Sequence, residues 1–211
     1  KEQLVDRLIC AEAGVDLWRM RTGKLSDQPG QDDFPRIGHA LGLLSEAPIY
    51  IDDSASSSIM EIRTKARRLQ MEKGLGLLVI DYLQLMESNT RIENRVQEIS
   101  EITRGLKGIA RELNIPVLAL SQLSRAVEAR NPAIPKLADL RESGSIEQDS
   151  DVVLFIYRKA MDRGATATSE EKNIADIYIA KHRNGPTGQG QLFFDEQKVS
   201  FRNLEKSSQP F

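Results

Sequence analysis

The sequence of 211 residues has one cysteine, few aromatic residues and no long apolar run. Because a disulfide or a thiolate zinc cluster needs several cysteines, the lone Cys10 excludes both within this chain and is expected to be a small buried hydrophobe. No apolar segment is long enough to span a bilayer, and no signal-peptide pattern is present. These absences indicate a reducing compartment and predict a soluble, cytoplasmic protein.

Positive charge is not in excess either, because 29 basic residues are set against 31 acidic ones for a net charge of −2. No overall basic field exists that would attract nucleic acid or anionic lipid, so any binding of that kind must be local. The 40% of hydrophobic residues is enough for one substantial core. Length alone predicts one domain, or two at most.

The start of the sequence lacks an initiator Met and a helix-capping residue. Its first stretch nevertheless has an apolar stripe at helical spacing, formed by Leu4, Leu8, Ile9 and Ala11. A helix that begins without a cap is expected where a chain is cut inside a larger protein.

Helices and strands alternate over the next part of the chain. Helices are predicted near Ile37 to Leu44, in a Ser-capped segment that ends at Gly74, and over residues 92–114. Strands are predicted for the stretches APIYIDD, LGLLVID, IPVLALSQ and DVVLFIYR. Since these strands are almost wholly apolar rather than alternating, we expect a parallel sheet that is covered by helices on both faces. The sequence therefore predicts an α/β sandwich.

The pattern changes past residue 173. Three short strands, IADIYIAKHR, GQLFF and KVSFRN, surround the Gly-rich turn NGPTGQG. Strands joined by such a turn predict an antiparallel extension at one edge of the sheet. We expect residues 1–203 to form one domain and residues 204–211 to form a C-terminal tail.

Asp81 places a single acid between apolar residues in the stretch GLLVIDYLQLM. It ends the most apolar predicted strand, and ligands of parallel α/β sheets bind at the carboxyl ends of the strands. An acid at this position suits a Mg²⁺ ligand held through water beside nucleotide phosphates, as in P-loop ATPases. The alternative is a cap for a turn after a core strand.

Ser121 and Gln122 end another predicted strand, at the same edge of the sheet. A glutamine at this position can hydrogen-bond a γ-phosphate or the attacking water, although a satisfied loop residue would be the simpler interpretation if Asp81 were not beside it. Together with Asp81, these side chains indicate an ATPase edge.

A pair of cations, Lys181 and Arg183, stands on one face of a predicted strand just before a Gly/Pro turn, with His182 on the other face. Two adjacent cations suit a phosphate clamp, including a finger offered to the nucleotide of a neighbouring subunit. A solvated hairpin end is the alternative. His182 and His39 have no partner at metal-ligand spacing, so neither is given a metal role.

The stretch from Ser124 to Asp151 is long for a connection within a domain, which favours a functional role. It contains four cations and no aromatic residue: Arg125, Arg130, Lys136 and Arg141. Proteins that grip the backbone of a single strand need cations and exposed amides rather than stacking aromatics. Gly144, between two serines, would let backbone N–H groups approach a phosphate closely. The interspersed acids leave an ordinary charged surface as the alternative.

Four linked stretches carry a resemblance to a known family: LLVIDYLQLM, PVLALSQLSRAVEAR, LADLRESGSIEQDSDVVLFIYR and KHRNGPTG. In this order and at these distances they resemble the RecA-like motor domain of bacterial replicative DNA helicases of the DnaB family. The stretch KEQLVDRL resembles the helix that follows that family's catalytic glutamate. The resemblance covers almost the whole chain, and the linked set is more specific than any one piece.

The resemblance implies a RecA-like three-layer sandwich with a mostly parallel central sheet and a C-terminal antiparallel extension. It implies that Asp81 is the Walker B acid and the Mg²⁺ ligand, that Gln122 senses the γ-phosphate of ATP, and that Lys181 and Arg183 act in trans. It further implies a homo-hexamer with primase and a helicase loader as partners.

A loop that faces single-stranded DNA in the central channel is also implied. Its expected residues are Arg141, Glu142 and Gly144, with Arg125 and Lys136 assisting. Glu142 would contribute through its backbone, because a carboxylate repels phosphate.

The sequence departs from the family pattern because it contains no G-x-x-x-x-G-K-[ST] motif. Gly23 and Lys24 are followed by Leu25 in a polar loop. We therefore expect the phosphate-cradling loop, its strand and the catalytic glutamate to lie upstream of Lys1, which would leave unpaired strand edges and no ATPase activity in this chain alone.

Three functions follow from these observations. The first is the motor of a hexameric DNA helicase that couples ATP hydrolysis to translocation on single-stranded DNA and to duplex unwinding. A RecA-type recombinase ATPase shares the sheet and the acid, but the RESGSIEQDSD stretch argues against it. A non-hydrolysing DNA-binding or assembly subunit is the third.

Overall fold

A computed structural model describes residues 2–54, 57–87, 94–140, 144–169 and 171–204. The helices of the described residues are α1 (Glu2–Ala13), α2 (Leu17–Thr22), α3 (Asp33–Glu46), α4 (Ile59–Lys73), α5 (Arg95–Leu113) and α6 (Gly144–Asp149). The strands are β1 (Leu78–Ile80), β2 (Val117–Ala119), β3 (Val152–Tyr157), β4 (Ile174–His182), β5 (Gly188–Asp195) and β6 (Ser200–Asn203). The α/β class is confirmed, and the predicted DNA residues Arg141 and Glu142, with residues 205–211 of the predicted tail, lie outside the described residues.

The first two strands form a parallel pair, as predicted. Leu78 lies opposite Val117 and Ile80 lies opposite Ala119. Beyond the ladder, the backbone N–H of Leu120 donates to the carbonyl of Ile80 at 2.9 Å. The carboxyl ends of β1 and β2 therefore meet at one edge of the sheet.

Helix α5 is the crossover that makes this parallel pairing possible. Its buried side chains repeat at helical spacing and form the largest hydrophobic cluster together with Leu83 and Met86; they are Ile99, Ile102, Leu106, Ile109 and Leu113. The side chain of Asn94 accepts a hydrogen bond from the backbone N–H of Val96 at the start of the helix, and Asn114 in the left-handed conformation ends it. The helix predicted over this segment is confirmed.

The second sheet has the order β3-β4-β5-β6 and is antiparallel throughout. The predicted C-terminal antiparallel extension is therefore confirmed, but the prediction that DVVLFIYR is a parallel strand buried on both faces is wrong for the described residues. Strand β3 pairs antiparallel with β4, and its burial alternates. Val153 and Phe155 are buried, whereas Leu154 and Ile156 are more than half exposed. An all-apolar run does not by itself show that both faces are covered.

The strand predicted for APIYIDD is also wrong, because residues 48–54 have no strand structure. A strand needs a neighbouring backbone to satisfy its N–H and C=O groups, and no described segment pairs with this one. Ile49 and Tyr50 are about half exposed, at 51% and 52%. The stretch leads instead to α4, which begins with the predicted serine cap at Ser58 and ends at Gly74.

Helices α1 and α3 pack together in a small satellite core. The buried side of α1 runs through Ile9, Cys10 and Ala13, while Leu4 is 47% exposed, so the predicted stripe was partly out of phase. Cys10 is fully buried as predicted, and burial raises the pKa of its thiol. Of the helices that the structure describes, none combines the length and the apolar character needed to cross a membrane.

Candidate functional site

Asp81 directly follows β1 at the edge where the two parallel strands end. The backbone N–H of Leu83 donates to the carbonyl of Leu120 at 2.9 Å, so the segment after β1 runs beside the segment after β2. The Asp81 carboxylate is exposed and takes part in no hydrogen bond or ion pair with the described residues. The 3-10 turn Leu83–Leu85 has Tyr82, not Asp81, at its cap position and no side-chain cap. Asp81 is therefore not a structural cap in this arrangement.

Gln122 lies at the same edge, three residues beyond the end of β2, with an exposed side chain. Its backbone is held by the side chain of Gln84, whose Oε1 accepts the Gln122 N–H at 3.2 Å. The Nε2 atom of Gln84 donates to Ser121 Oγ at 3.1 Å and to the Gln122 carbonyl at 3.4 Å. The structure therefore brings Asp81, Ser121 and Gln122 together, as the sequence predicts.

Lys181 extends from β4 to the C-terminal end of α6. Its Nζ donates to the Ser150 carbonyl at 2.8 Å and also to the carbonyl of Glu147. A cation at this end of a helix satisfies carbonyls that have no intrahelical partner. Lys181 thus has contacts within its own chain, a feature that the sequence does not indicate.

Arg183 lies on the same side of the hairpin and contacts the segment after α6. Its Nη2 donates to the carbonyl of Gln148 at 2.9 Å, and its Nη1 is 3.2 Å from Asp151 Oδ1. Lys107, on α5, also pairs with the Asp151 carboxylate. These cations, with the Lys107 hydrogen bond as the main cause, hold the pKa of Asp151 below its usual value.

Helix α6 therefore connects two groups of predicted site residues. Its first residue is Gly144, next to the predicted DNA loop, and its C-terminal end contacts Lys181 and Arg183. Asp149 accepts a hydrogen bond from Thr103 Oγ1 on α5 at 2.6 Å. A displacement at one end of this six-residue helix would be felt at the other end, because a helix is short and stiff on this scale.

The loop that contains Arg125 and Lys136 is closed at its base. An antiparallel bridge joins Leu123 to Leu140, and the Ser124 N–H donates to the Asp139 carbonyl at 2.8 Å. The ends of the loop are therefore fixed relative to β2 and to the start of α6.

One of the loop cations is used inside the loop. Arg130 pairs with the buried Asp139 carboxylate and donates to the Ile134 carbonyl at 3.0 Å. This hydrogen bond from Arg130 is the main cause that lowers the pKa of Asp139. Arg125 and Lys136, in contrast, are exposed.

Comparison with known proteins decides the family. The family model described as "DnaB-like helicase C terminal domain" matches residues 1–203. The chain belongs to the DnaB-like helicase family.

Individual members of the family are similar to this chain over almost all of its length. It is 52% identical to the replicative DNA helicase DnaB of Geobacillus stearothermophilus and 51% identical to that of Rickettsia prowazekii, in each case over 97% of the chain. The replicative DNA helicase DnaC of Bacillus subtilis is 50% identical. The chain spans 44% of the length of each of these three relatives.

Two solved structures confirm the RecA-like helicase fold. One is described as a DnaB-like replicative helicase with its interactions with primase, and it superposes with a TM-score of 0.88 at 38% identity over 97% of this chain and 48% of the other. The second is described as an ATPase domain; it gives the same TM-score at 39% identity and is covered to 71%.

Sequence reasoning missed two residues of this DnaB-like site. Gln84 belongs to the stretch DYLQLM, in which a single amide among apolar residues was the available signal. Asp151 pairs with Lys107 and Arg183, and its position directly before β3 gives no sign of either partner. Both contacts depend on how separate elements cross.

The donor atoms present agree with a hard cation only in part. No group of three or more His, Cys, Asp or Glu side chains in the described residues could hold a metal ion. Asp81 supplies one unengaged carboxylate, and Mg²⁺ at phosphate sites usually needs one or two carboxylates, with waters and phosphate oxygens as its other ligands. Asp81 therefore fits an ion that binds together with a nucleotide.

Proposed function

We propose that this chain is part of the motor of a replicative DNA helicase, which couples ATP hydrolysis to translocation on single-stranded DNA and to unwinding at the replication fork. The observation that carries the proposal is the meeting of Asp81 and Gln122 at the carboxyl edge of a parallel strand pair, in a chain of the DnaB-like family. Residues 1–203 would form part of a RecA-like ATPase domain, and residues 204–211 would form its tail.

In the proposed ATP site, Asp81 is the Walker B acid that holds Mg²⁺ through water. The ion would neutralise negative charge on the phosphates of ATP. Gln122 extends from the neighbouring strand end, where its amide can hydrogen-bond the γ-phosphate or the attacking water. A phosphate-cradling loop is required as well, and no such motif occurs in this sequence.

Lys181 and Arg183 are proposed to act on the nucleotide of a neighbouring subunit in a homo-hexamer. Their contacts with the end of α6 support this role because they hold both cations on one side of the β4 hairpin. A cation that is already oriented stabilises transition-state charge without a further ordering cost.

The DNA path is proposed to follow the loop before α6, with Arg141, Glu142 and Gly144 at its centre and Arg125 and Lys136 beside them. The exposure of Arg125, Lys136 and Gly144 supports this assignment. Because α6 joins Gly144 to the segment that Arg183 contacts, DNA binding and hydrolysis would be coupled through this helix.

Several wider properties follow from the family and stay proposals. They are ATP and Mg²⁺ as cofactors, primase and a helicase loader as protein partners, and a location in the cytoplasm. One of the similar solved structures is described with its interactions with primase, which supports that partner.

The experiment uses the full-length protein that contains this chain and compares Asp81→Ala with Asp52→Ala. Asp52 is a matched control because it also follows an apolar stretch and is exposed, but it pairs with Lys65. We expect Asp81→Ala to abolish DNA-stimulated ATP hydrolysis and unwinding of a forked duplex, and Asp52→Ala to retain both. A full-length protein that binds DNA without hydrolysing ATP would favour the non-hydrolysing alternative.

A further inference from the structure

We propose that Gln84 is a positioning residue for Gln122, an inference that rests on the proposed function of Gln122. Gln84 lies in the turn after β1, three residues beyond Asp81, and its side chain spans to the segment after β2. It would act on hydrolysis only through Gln122, without touching the nucleotide.

The contacts of the Gln84 amide match the backbone of Gln122. Its Oε1 accepts the Gln122 N–H at 3.2 Å, and its Nε2 donates to the Gln122 carbonyl at 3.4 Å and to Ser121 Oγ at 3.1 Å. A primary amide has both an acceptor and two donors, so it can replace the neighbouring strand that a backbone segment would otherwise pair with. Both ends of the amide are used here.

Gln122 needs such support because the parallel ladder stops before it. The last strand residue of β2 is Ala119, and the final backbone contacts across the pair are made by Leu120. Gln122 is exposed and stands beyond these contacts. Within the described residues, the Gln84 side chain is the group that hydrogen-bonds both the N–H and the carbonyl of Gln122.

Gln84 is itself held in place from two directions. The neighbouring turn residues Leu83 and Met86 are buried in the main hydrophobic cluster. The carbonyl of Gln84 accepts a hydrogen bond from Arg95 Nη2 at 2.8 Å, at the start of α5. An amide that extends from a fixed turn can fix its partner, and this is the property that a positioning residue needs.

The expected effect is on turnover rather than on ATP binding. A displacement of about 1 Å in a group that orients reactants can cost about 100-fold in rate. Phosphate binding would still depend on the other parts of the site, so the KM for ATP should change little. A purely structural role would instead lower the thermal stability and reduce activity only through loss of folded protein.

The test uses the full-length protein with Gln84→Leu, which removes all three hydrogen bonds at similar size, and with Gln84→Glu, which keeps an acceptor for the Gln122 N–H but loses the donors. Gln70→Leu is the matched control, because Gln70 also donates from its side chain to a backbone carbonyl, that of Leu113 at 2.7 Å, far along α4. We expect kcat for ATP to fall by about 10-fold to 100-fold in Gln84→Leu and by less in Gln84→Glu. Gln70→Leu should keep the wild-type kcat.

A double-mutant cycle separates this inference from the proposed function. If Gln84 acts through the Gln122 side chain, Gln84→Leu should cause no further loss in a Gln122→Ala background, measured by single-turnover hydrolysis. Multiplicative losses would overturn the inference, as would wild-type kcat in Gln84→Leu when Gln122→Ala is impaired. Wild-type hydrolysis by Gln122→Ala would instead overturn the proposed role of Gln122 itself.

Discussion

The Arg183 guanidinium lies 3.2 Å from the carboxylate of Asp151, directly before β3 in the same chain. Lys107 on α5 pairs with the same carboxylate. Asp151 therefore ties the hairpin that carries the proposed trans-acting cations to α5, the helix that crosses between β1 and β2. The proposed ATP edge and the proposed finger of one subunit are joined through the body of the domain.

We expect Asp151→Asn to reduce ATP hydrolysis by the full-length protein, but by less than Arg183→Ala does. The substitution removes the charge that orients Arg183, while the hydrogen bond to the Gln148 carbonyl remains. Because the pair is about half exposed, the free energy of unfolding should change by at most about 1 kcal/mol. Steady-state kcat and thermal unfolding of the two variants check this. A kcat equal to wild type would show that Asp151 does not orient the finger.

Arg130 and Arg125 are close in sequence and should differ in effect. Arg130→Ala leaves the buried Asp139 carboxylate without its main partner, which should cost about 1 to 3 kcal/mol of folding stability, towards the lower end because Arg130 is a third exposed. Arg125→Ala should leave stability unchanged and weaken binding to single-stranded DNA. Chemical denaturation and oligonucleotide binding measure the two effects, and equal stability of both variants would contradict the assignment.

The stability difference between wild type and Arg130→Ala should depend on pH. The folded-state pKa of Asp139 is lowered, so its contribution is present above the ordinary carboxyl value of about 3.9 and is lost as pH falls through the folded-state value. The two unfolding curves should therefore converge on acidification below about pH 4. A difference that grows at low pH would reverse the sign of this interaction.

The DNA loop is expected to grip phosphates rather than to recognise bases, because it has cations and no aromatic residue. Arg141→Ala should weaken binding to oligo-dT and to mixed sequences by similar factors and reduce the salt slope by about 0.7, the value for one single-strand phosphate contact. Binding across a salt series measures this for wild-type and mutant hexamers. An unchanged slope, or a loss confined to one base composition, would place the DNA path elsewhere.

The 211-residue chain alone should show no DNA-stimulated ATPase activity. Asp81 and Gln122 can orient a γ-phosphate only when a phosphate-cradling loop holds the nucleotide, and this sequence has no such motif. The measurement is steady-state turnover by the purified chain. Turnover that Asp81→Ala abolishes would show that the chain completes the site by other means.

The sequence predicts those features that depend on local periodicity or on strand direction. The apolar spacing of α5 and the serine cap of α4 identify both helices. Because β1 and β2 run parallel, residues after their ends must meet, so Asp81 and Gln122 could be placed together before the structure was known.

The features that failed depend on which elements become neighbours. Apolar content predicted a strand over residues 47–53 and a parallel arrangement for β3, but apolar content does not identify a pairing partner. The Gln84 contact requires the turn after β1 to lie beside the end of β2. The contacts of Arg183 depend on the register of β3 and β4, which contains an irregularity between Val153 and Leu154.

The central claim is that ATP is hydrolysed between subunits, with Asp81 from one and Arg183 from the next, and mixing two inactive full-length variants tests it most directly. Arg183→Ala alone should reduce hydrolysis by about 10³-fold while leaving ATP binding largely intact, because a finger acts on transition-state charge. Mixed hexamers of Arg183→Ala and Asp81→Ala contain some interfaces at which an intact Asp81 faces an intact Arg183. The account predicts that these hexamers recover part of the DNA-stimulated ATPase activity. Mixed hexamers that form and remain inactive would contradict it.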